Sequence, residues 1–178
     1  NCLAYNTNNV TYTINSGTTP DEVGNYFTLP FPSVVNGVML IIDLDADCDI
    51  KLYDSSGTVL ASITLNPNLR SFSGGSFYLA LFSSAVNLSA NTVYRLTVLP
   101  TSVTNLSLHY SGFPSAAAMG SFPLGQLMYA TTRTNAGAWT EDTTRRVMIA
   151  PNFIGFDDGV GGGSGGGMPI LRGSVVGG

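Results

Sequence analysis

Charged side chains make up only 10% of this 178-residue chain, against about 25% in ordinary globular domains. Lysine occurs once, at Lys51, histidine once, at His109, and glutamate twice, at Glu22 and Glu141. The net charge of −4 and the isoelectric point near 4.6 argue against a nucleic-acid partner, because phosphate neutralisation needs a basic face. No stretch of 18 consecutive apolar residues occurs, so no segment reads as a membrane-spanning helix. The chain opens Asn-Cys-Leu without an initiator methionine, as a processed N-terminus or a piece of a longer protein would.

Chemistry-bearing residues are equally sparse. The two cysteines, Cys2 and Cys48, allow one bridge, which would contribute roughly 3–4 kcal/mol if unstrained. Alternatively they are two free thiols, with Cys48 a small hydrophobe at an inward strand position. With a single distant histidine they do not make a zinc site. No nucleophile elbow, zincin helix or phosphate loop is present. The glutamates, each beside an aspartate in an expected loop, leave a glycosidase pair only formally open. His109, in Asn-Leu-Ser-Leu-His-Tyr, is expected to face out with Ser107 while Leu106, Leu108 and Tyr110 face in, which makes it surface decoration rather than a base.

What the chain does have is Thr, Ser, Asn, Gly, Val, Leu and Tyr, the composition of a β protein with a polar, uncharged surface, common outside cells and on virions. Hydrophobic residues recur with period 2 over 10–14, 25–29, 36–46, 48–54, 58–65, 76–82, 92–99, 105–110, 126–132 and 145–153, and each segment reads as a strand. Turn chemistry separates them at Asp54–Gly57 and Thr134–Gly137. One short helical turn is expected at 114–119. About ten short strands predict an all-β, jelly-roll-like antiparallel β-sandwich over 1–156, followed by a glycine-rich tail over 157–178.

Asp43, Asp45, Asp47 and Asp49 alternate with apolar residues. On one continuous strand they would share a face, and clustered hard oxygens would suit calcium. The spacing does not match an EF-hand loop. The other reading is a bend near Asp45–Asp47, with aspartates as turn formers. Trp139, the only tryptophan, lies beside acidic residues and is a candidate sugar platform, with Tyr129 and Tyr78 on strands; it would otherwise cap an open end of the sandwich. Arg145 and Arg146 would point to opposite faces and pair with Asp157, Asp158 or a neighbour's acid. Asn9, Asn87 and Asn105 begin glycosylation triplets, which matter only in a secreted protein of a glycosylating host.

The segment Asp45–Ile63 resembles a motif of secreted β-sandwich modules, among them bacterial pre-peptidase C-terminal domains. More widely, the succession of 18–38, 43–60, 91–102, 133–149 and 155–173 resembles the C-terminal module of uncharacterised structural proteins of tailed phages. These carry jelly-roll-like domains and end in a glycine tract followed by a short apolar and basic segment. That resemblance implies a virion or appendage protein without assigned catalytic residues.

The tail holds ten glycines in 22 residues and buries almost no side chain of its own, while each ordered residue costs about 1–2 kcal/mol of backbone entropy. Its order therefore depends on a groove or sheet edge that receives it. Gly161 and Gly165 stand for the linker, and Met168, Ile170, Leu171, Arg172, Val175 and Val176 for an added strand or plug. The alternative is a tail folded on its own domain. The expected function is a non-enzymatic building block of an extracellular or virion-surface assembly. Its partners would be other copies or another fibre protein. The second expectation is a carbohydrate-binding adhesin module using Trp139, with or without calcium.

Overall fold

The computed structural model describes residues 10–67, 76–112 and 128–156. Within them the secondary structure is all-β and antiparallel. The strands are β1 (Val10–Ile14), β2 (Glu22–Phe27), β3 (Ser33–Asp43), β4 (Cys48–Tyr53), β5 (Val59–Leu65), β6 (Ser76–Leu88), β7 (Tyr94–Pro100), β8 (Leu106–Gly112), β9 (Met128–Arg133), β10 (Thr140–Asp142), β11 (Arg145–Val147) and β12 (Ile149–Phe156). They form two six-stranded sheets packed as a β-sandwich.

Pairing among the first eight strands is nested: β1 pairs β8, β2 pairs β7, β3 pairs β6 and β4 pairs β5. Contacts of β8 with β3 and of β7 with β4 complete the orders β1-β8-β3-β6 and β2-β7-β4-β5. The last four strands are additions. β9 and β10 extend the second sheet beyond β2, and β11 and β12 enter the first sheet between β8 and β3.

Period-2 patterning explains the core. Val38, Leu40 and Ile42 of β3, Ile50 and Leu52 of β4, Leu96 and Val98 of β7, and Leu106 and Leu108 of β8 are fully buried, and each strand sends alternate residues into the space between sheets. Burying a side chain of this size contributes about 1.5–3 kcal/mol.

The insertion of β11 and β12 depends on one polar residue. β11 runs antiparallel to β8, and β12 runs antiparallel to β3. Because β8 and β3 are themselves antiparallel, the chain reverses at Met148. The Met148 N–H donates to the His109 carbonyl at 2.8 Å, and its carbonyl accepts from the Ile41 N–H at 2.9 Å. Asn25, on the inward face of β2 in the opposite sheet, holds this reversal. Its amide nitrogen donates to the carbonyls of Val147 (2.7 Å) and Ile149 (2.8 Å), and its carbonyl accepts from the Val147 N–H (2.9 Å). Asn25 is 1% exposed, so these three bonds replace water that cannot reach it.

Several expected boundaries move. β2 begins at Glu22, β6 continues to Leu88, the expected strand 145–153 is broken at Met148, and β10 falls where a loop was expected. Glu22 and Glu141 lie on β2 and β10 rather than in loops. The expected helical turn at 114–119 lies outside the described residues.

Asn25→Leu, nearly the same size but unable to bond, leaves two carbonyls and one N–H without a partner. At about 1–3 kcal/mol for each buried polar group so orphaned, chemical denaturation should register a loss of about 3 kcal/mol or more. Asn25→Asp should also destabilise, because it replaces the donor with an oxygen facing two carbonyls.

Candidate functional site

The outward face of the second sheet carries two Arg–Glu pairs. Glu22 begins β2, and the pairing of β2 with β7 and β9 places it beside Arg133. Glu22 is 1% exposed although it lies on an outer face. Its Oε2 accepts from Arg133 Nε at 2.6 Å, and its Oε1 accepts from the Thr97 hydroxyl at 2.5 Å. Arg133 Nη2 then donates to the Tyr53 hydroxyl at 2.7 Å. Such charge-assisted bonds are short and directional.

Gly24 makes this close arrangement compatible with the sheet. A Cβ there would collide with the Leu96 carbonyl oxygen and lie 2.5 Å from the Thr97 Cα. Only glycine lets the β2 and β7 backbones approach so closely.

Trp139 packs on this network. The Arg133 guanidinium carbon stands 4.2 Å from the indole centroid and that of Arg95 5.2 Å. Tyr53 meets the indole edge-on at 5.5 Å. Arg95 also donates to Glu141 at 2.7 Å and lies 5.7 Å from the Tyr26 ring. Tyr26 stacks on Tyr129 at 5.2 Å, with their planes 10° apart. The result is an aromatic ridge from Trp139, just before β10, to Tyr129 on β9 and Tyr26 on β2, held by two Arg–Glu pairs. Trp139 is half-buried; its orientation is fixed by cation–π contacts and needs no ligand to set it.

Burial, with Glu22 nearby, raises the Tyr53 phenol above its ordinary value, and the Arg133 guanidinium offsets this only in part. Tyr129 is also raised, by burial and by Tyr26 and Glu141. Both rings are therefore neutral through the physiological range. The Glu22 oxygens are committed to Thr97 and Arg133, and Glu141 is paired with Arg95. The network is one of positioning rather than of a carboxylate held ready for proton transfer.

Other sequence candidates are dispersed. The four aspartates do not share a face: Asp43 ends β3 in the first sheet, Asp45 and Asp47 lie in the crossing, and Asp49 is on β4 in the second sheet. Asp49 accepts from Thr64 at 2.7 Å and lies 3.6 Å from Lys51. The Asp47 carbonyl receives the Thr101 N–H and hydroxyl. Among the described residues no three His, Cys, Asp or Glu side chains gather as a metal site. The bend separates the carboxylates that a straight strand would have aligned.

His109 keeps its outward phase but is buried, contrary to the expected surface position, and its Nε2 lies 3.8 Å from Asp43. Arg145 pairs with Asp142 at 3.3 Å and donates to the Tyr12 hydroxyl at 3.1 Å, closing the side of the sandwich near β1. Cys48 is a free, fully buried thiol, pushed up to about 12 by burial and by Asp49 and Asp47. Tyr78 is a core residue. Asn87 and Asn105 are exposed, and Asn105 accepts from the Asn15 amide at 2.7 Å. Cys2, Asn9, Asp157, Asp158, Gly161, Gly165, Met168, Ile170, Leu171, Arg172, Val175 and Val176 lie outside the described residues.

The outward face of the first sheet is different in kind. Phe77, Leu79 and Leu81 alternate along β6 and are 57%, 57% and 52% exposed. They pair with Ile41, Met39 and Gly37 of β3, so the half-buried Met39 and Ile41 extend the same apolar surface. Ile154 and Phe156 at the end of β12 are also exposed, as are Val59 and Leu60 on β5, the edge strand of the second sheet. Among the described residues β6 pairs with β3 alone, so its far side is a sheet edge. A flat apolar edge strand is a template for pairing with another chain.

The sequence reading singled out Trp139, Glu22, Glu141 and Tyr129 separately; it missed Arg95, Arg133, Tyr53 and Thr97 as their partners. Their outward phase was readable from period 2, but the strand order that joins them was not.

The Tyr53 shift has a measurable consequence. A phenol whose pKa is raised by folding contributes stability below the ordinary tyrosine value near 10, and that stability is lost as the pH rises from there through the folded value. The denaturation midpoint should fall more steeply above pH 10 in the unsubstituted protein than in Tyr53→Phe. At neutral pH, Arg133→Met should cost about 3–5 kcal/mol by stranding the buried Glu22 carboxylate, and Glu22→Gln, which keeps an acceptor, should cost less.

Comparison of the chain with protein-family models and with curated proteins finds no match, so the functional reading rests on the residues themselves.

Proposed function

We propose that the chain is a non-enzymatic structural subunit of an extracellular or virion-surface assembly, built on a jelly roll and associating through the outer face of its first sheet. The nested pairing 1–8, 2–7, 3–6 and 4–5 supports the jelly-roll reading, since a long antiparallel ribbon folded over itself produces this order. The observation that carries the assembly reading is the ladder Phe77–Leu79–Leu81 on edge strand β6. Three large apolar side chains alternate there, more than half exposed, in a chain with little charge to keep copies apart. An association surface has this character: depleted of charge at its centre and apolar. A rigid two-sheet body of this kind transmits load without a chemical step.

One observation favours a second reading, a carbohydrate-binding module. Trp139, the Tyr26–Tyr129 stack and two arginines form a fixed aromatic ridge on the opposite face. Sugar rings stack on such surfaces, and fixed platforms lose little entropy on binding.

Particle size separates the two. Light scattering and negative-stain microscopy should find ordered multimers of the full chain. The double substitution Leu79→Asp/Leu81→Asp should yield a monomer with its thermal midpoint nearly unchanged, because exposed substitutions cost at most about 0.5 kcal/mol. A monomeric unsubstituted chain overturns the assembly reading. On a glycan array, specific binding abolished by Trp139→Ala would establish the module reading instead.

A further inference from the structure

The rings and guanidiniums on the outer face of the second sheet form one series. Tyr53, Arg133, Trp139, Arg95, Tyr26 and Tyr129 follow one another at separations of 4.8, 4.2, 5.2, 5.7 and 5.2 Å. Trp139 is met by both arginines and, edge-on, by Tyr53, so its indole is engaged in internal packing. Tyr129 ends the series: among the described residues its one ring contact is Tyr26. Backbone pairing leaves the flank beside it open. β10 pairs with β9 only from Thr132 to Ala130, and the chain then turns through the exposed Thr143 and Thr144 into β11 of the first sheet. Among the described residues no strand therefore lies beside Tyr129 on the side away from Tyr26.

Resting on the carbohydrate-binding reading above, we infer that an uncharged saccharide stacks its ring on Tyr129 at the open end of the series, with Trp139 positioning that platform through Arg95 rather than touching the sugar. Three observations select this ligand. The charged side chains of the face are paired: Arg95 with Glu141 at 2.7 Å, Arg133 with Glu22 at 2.6 Å and Lys51 with Asp49 at 3.6 Å. These pairs offer neither a spare cation to an anionic ligand nor a spare carboxylate to a cationic one. The ring face of Tyr129 suits a flat, apolar surface such as one side of a pyranose. Beneath the same patch two buried polar atoms have no hydrogen-bond partner, Thr131 Oγ1 and Arg95 Nε, a rare condition in folded proteins. Both adjoin Glu141, which faces Thr131 across the β9–β10 pairing and accepts from Arg95 Nη2. The Glu141 side chain is 32% exposed, and a shift of it opens them to the surface. A sugar hydroxyl both donates and accepts, so it suits either atom. The site lies on the face opposite the β6 ladder and is independent of assembly through the first sheet.

A glycan array of the full chain tests this. It is followed by calorimetric titration with the uncharged oligosaccharide of strongest signal and with its sulfated counterpart. The uncharged ligand should bind, with equal affinity at low and high salt, because no ion pair forms. Since Trp139 is the only tryptophan, its emission maximum should stay in place on saturation. Tyr129→Ala should weaken binding roughly tenfold, about 1.4 kcal/mol of lost ring stacking, while Tyr129→Phe stays within about twofold because the ring face is kept. The salt and emission readouts use the unsubstituted chain and do not depend on a variant's folding. Three results each overturn the inference and leave the carbohydrate-binding reading standing: preference for sulfated or sialylated glycans, affinity that falls with salt, or a shifted Trp139 emission with normal binding by Tyr129→Ala. An array with no bound glycan removes both.

Discussion

Three hydrogen bonds from one buried amide hold the two sheets in their relation. Asn25 stands among apolar side chains on the inward face of β2, yet its whole side chain is used by Val147 and Ile149 of the opposite sheet. A bend in mid-sheet would otherwise strand backbone groups away from water, at a cost no sandwich core tolerates repeatedly. With the bend held, β11 can lie along β8 and β12 along β3. The first sheet is thereby widened, and the C-terminal part of the described chain is delivered to its far end.

This placement organises the two outer faces differently. β9 and β10 extend the second sheet and bring Arg133, Trp139 and Glu141 over the outward residues of β2 and β7. Charge there is spent internally, in two Arg–Glu pairs topped by an indole. Among the described residues the first sheet receives no such cover on β6, and its outward ladder is apolar and exposed. One face is closed by its own electrostatics, while the other has the character of an unfinished core. The proposed assembly follows from that asymmetry, and the aromatic ridge remains the feature a ligand would meet.

Much of the strand content was legible because period 2 is a local property. β1, β4, β5, β7 and β8 fall close to the expected positions, since alternation of apolar and polar residues is fixed wherever one face is buried. β10 escaped notice because three residues carry too little alternation to distinguish a strand from the turn beside it. The break at Met148 escaped because residues 145–153 read as one extended run, and the reversal is held by Asn25, 122 positions before Val147 in the chain. His109 was placed on the correct phase but not at the correct depth, because alternation gives a face and says nothing of what lies over it.

The sequence by itself determined the fold class, the phase of the main strands and the scarcity of chemistry, because composition and periodicity act within a few residues. Tertiary structure alone decided which strands are neighbours. It divided Asp43 and Asp49 between two sheets and joined Glu22 to Arg133, 111 residues away. It also left Phe77, Leu79 and Leu81 on an edge rather than inside. The physical reason is that strand order is set by the sum of long-range pairings and buried area, in which no single segment encodes its partner.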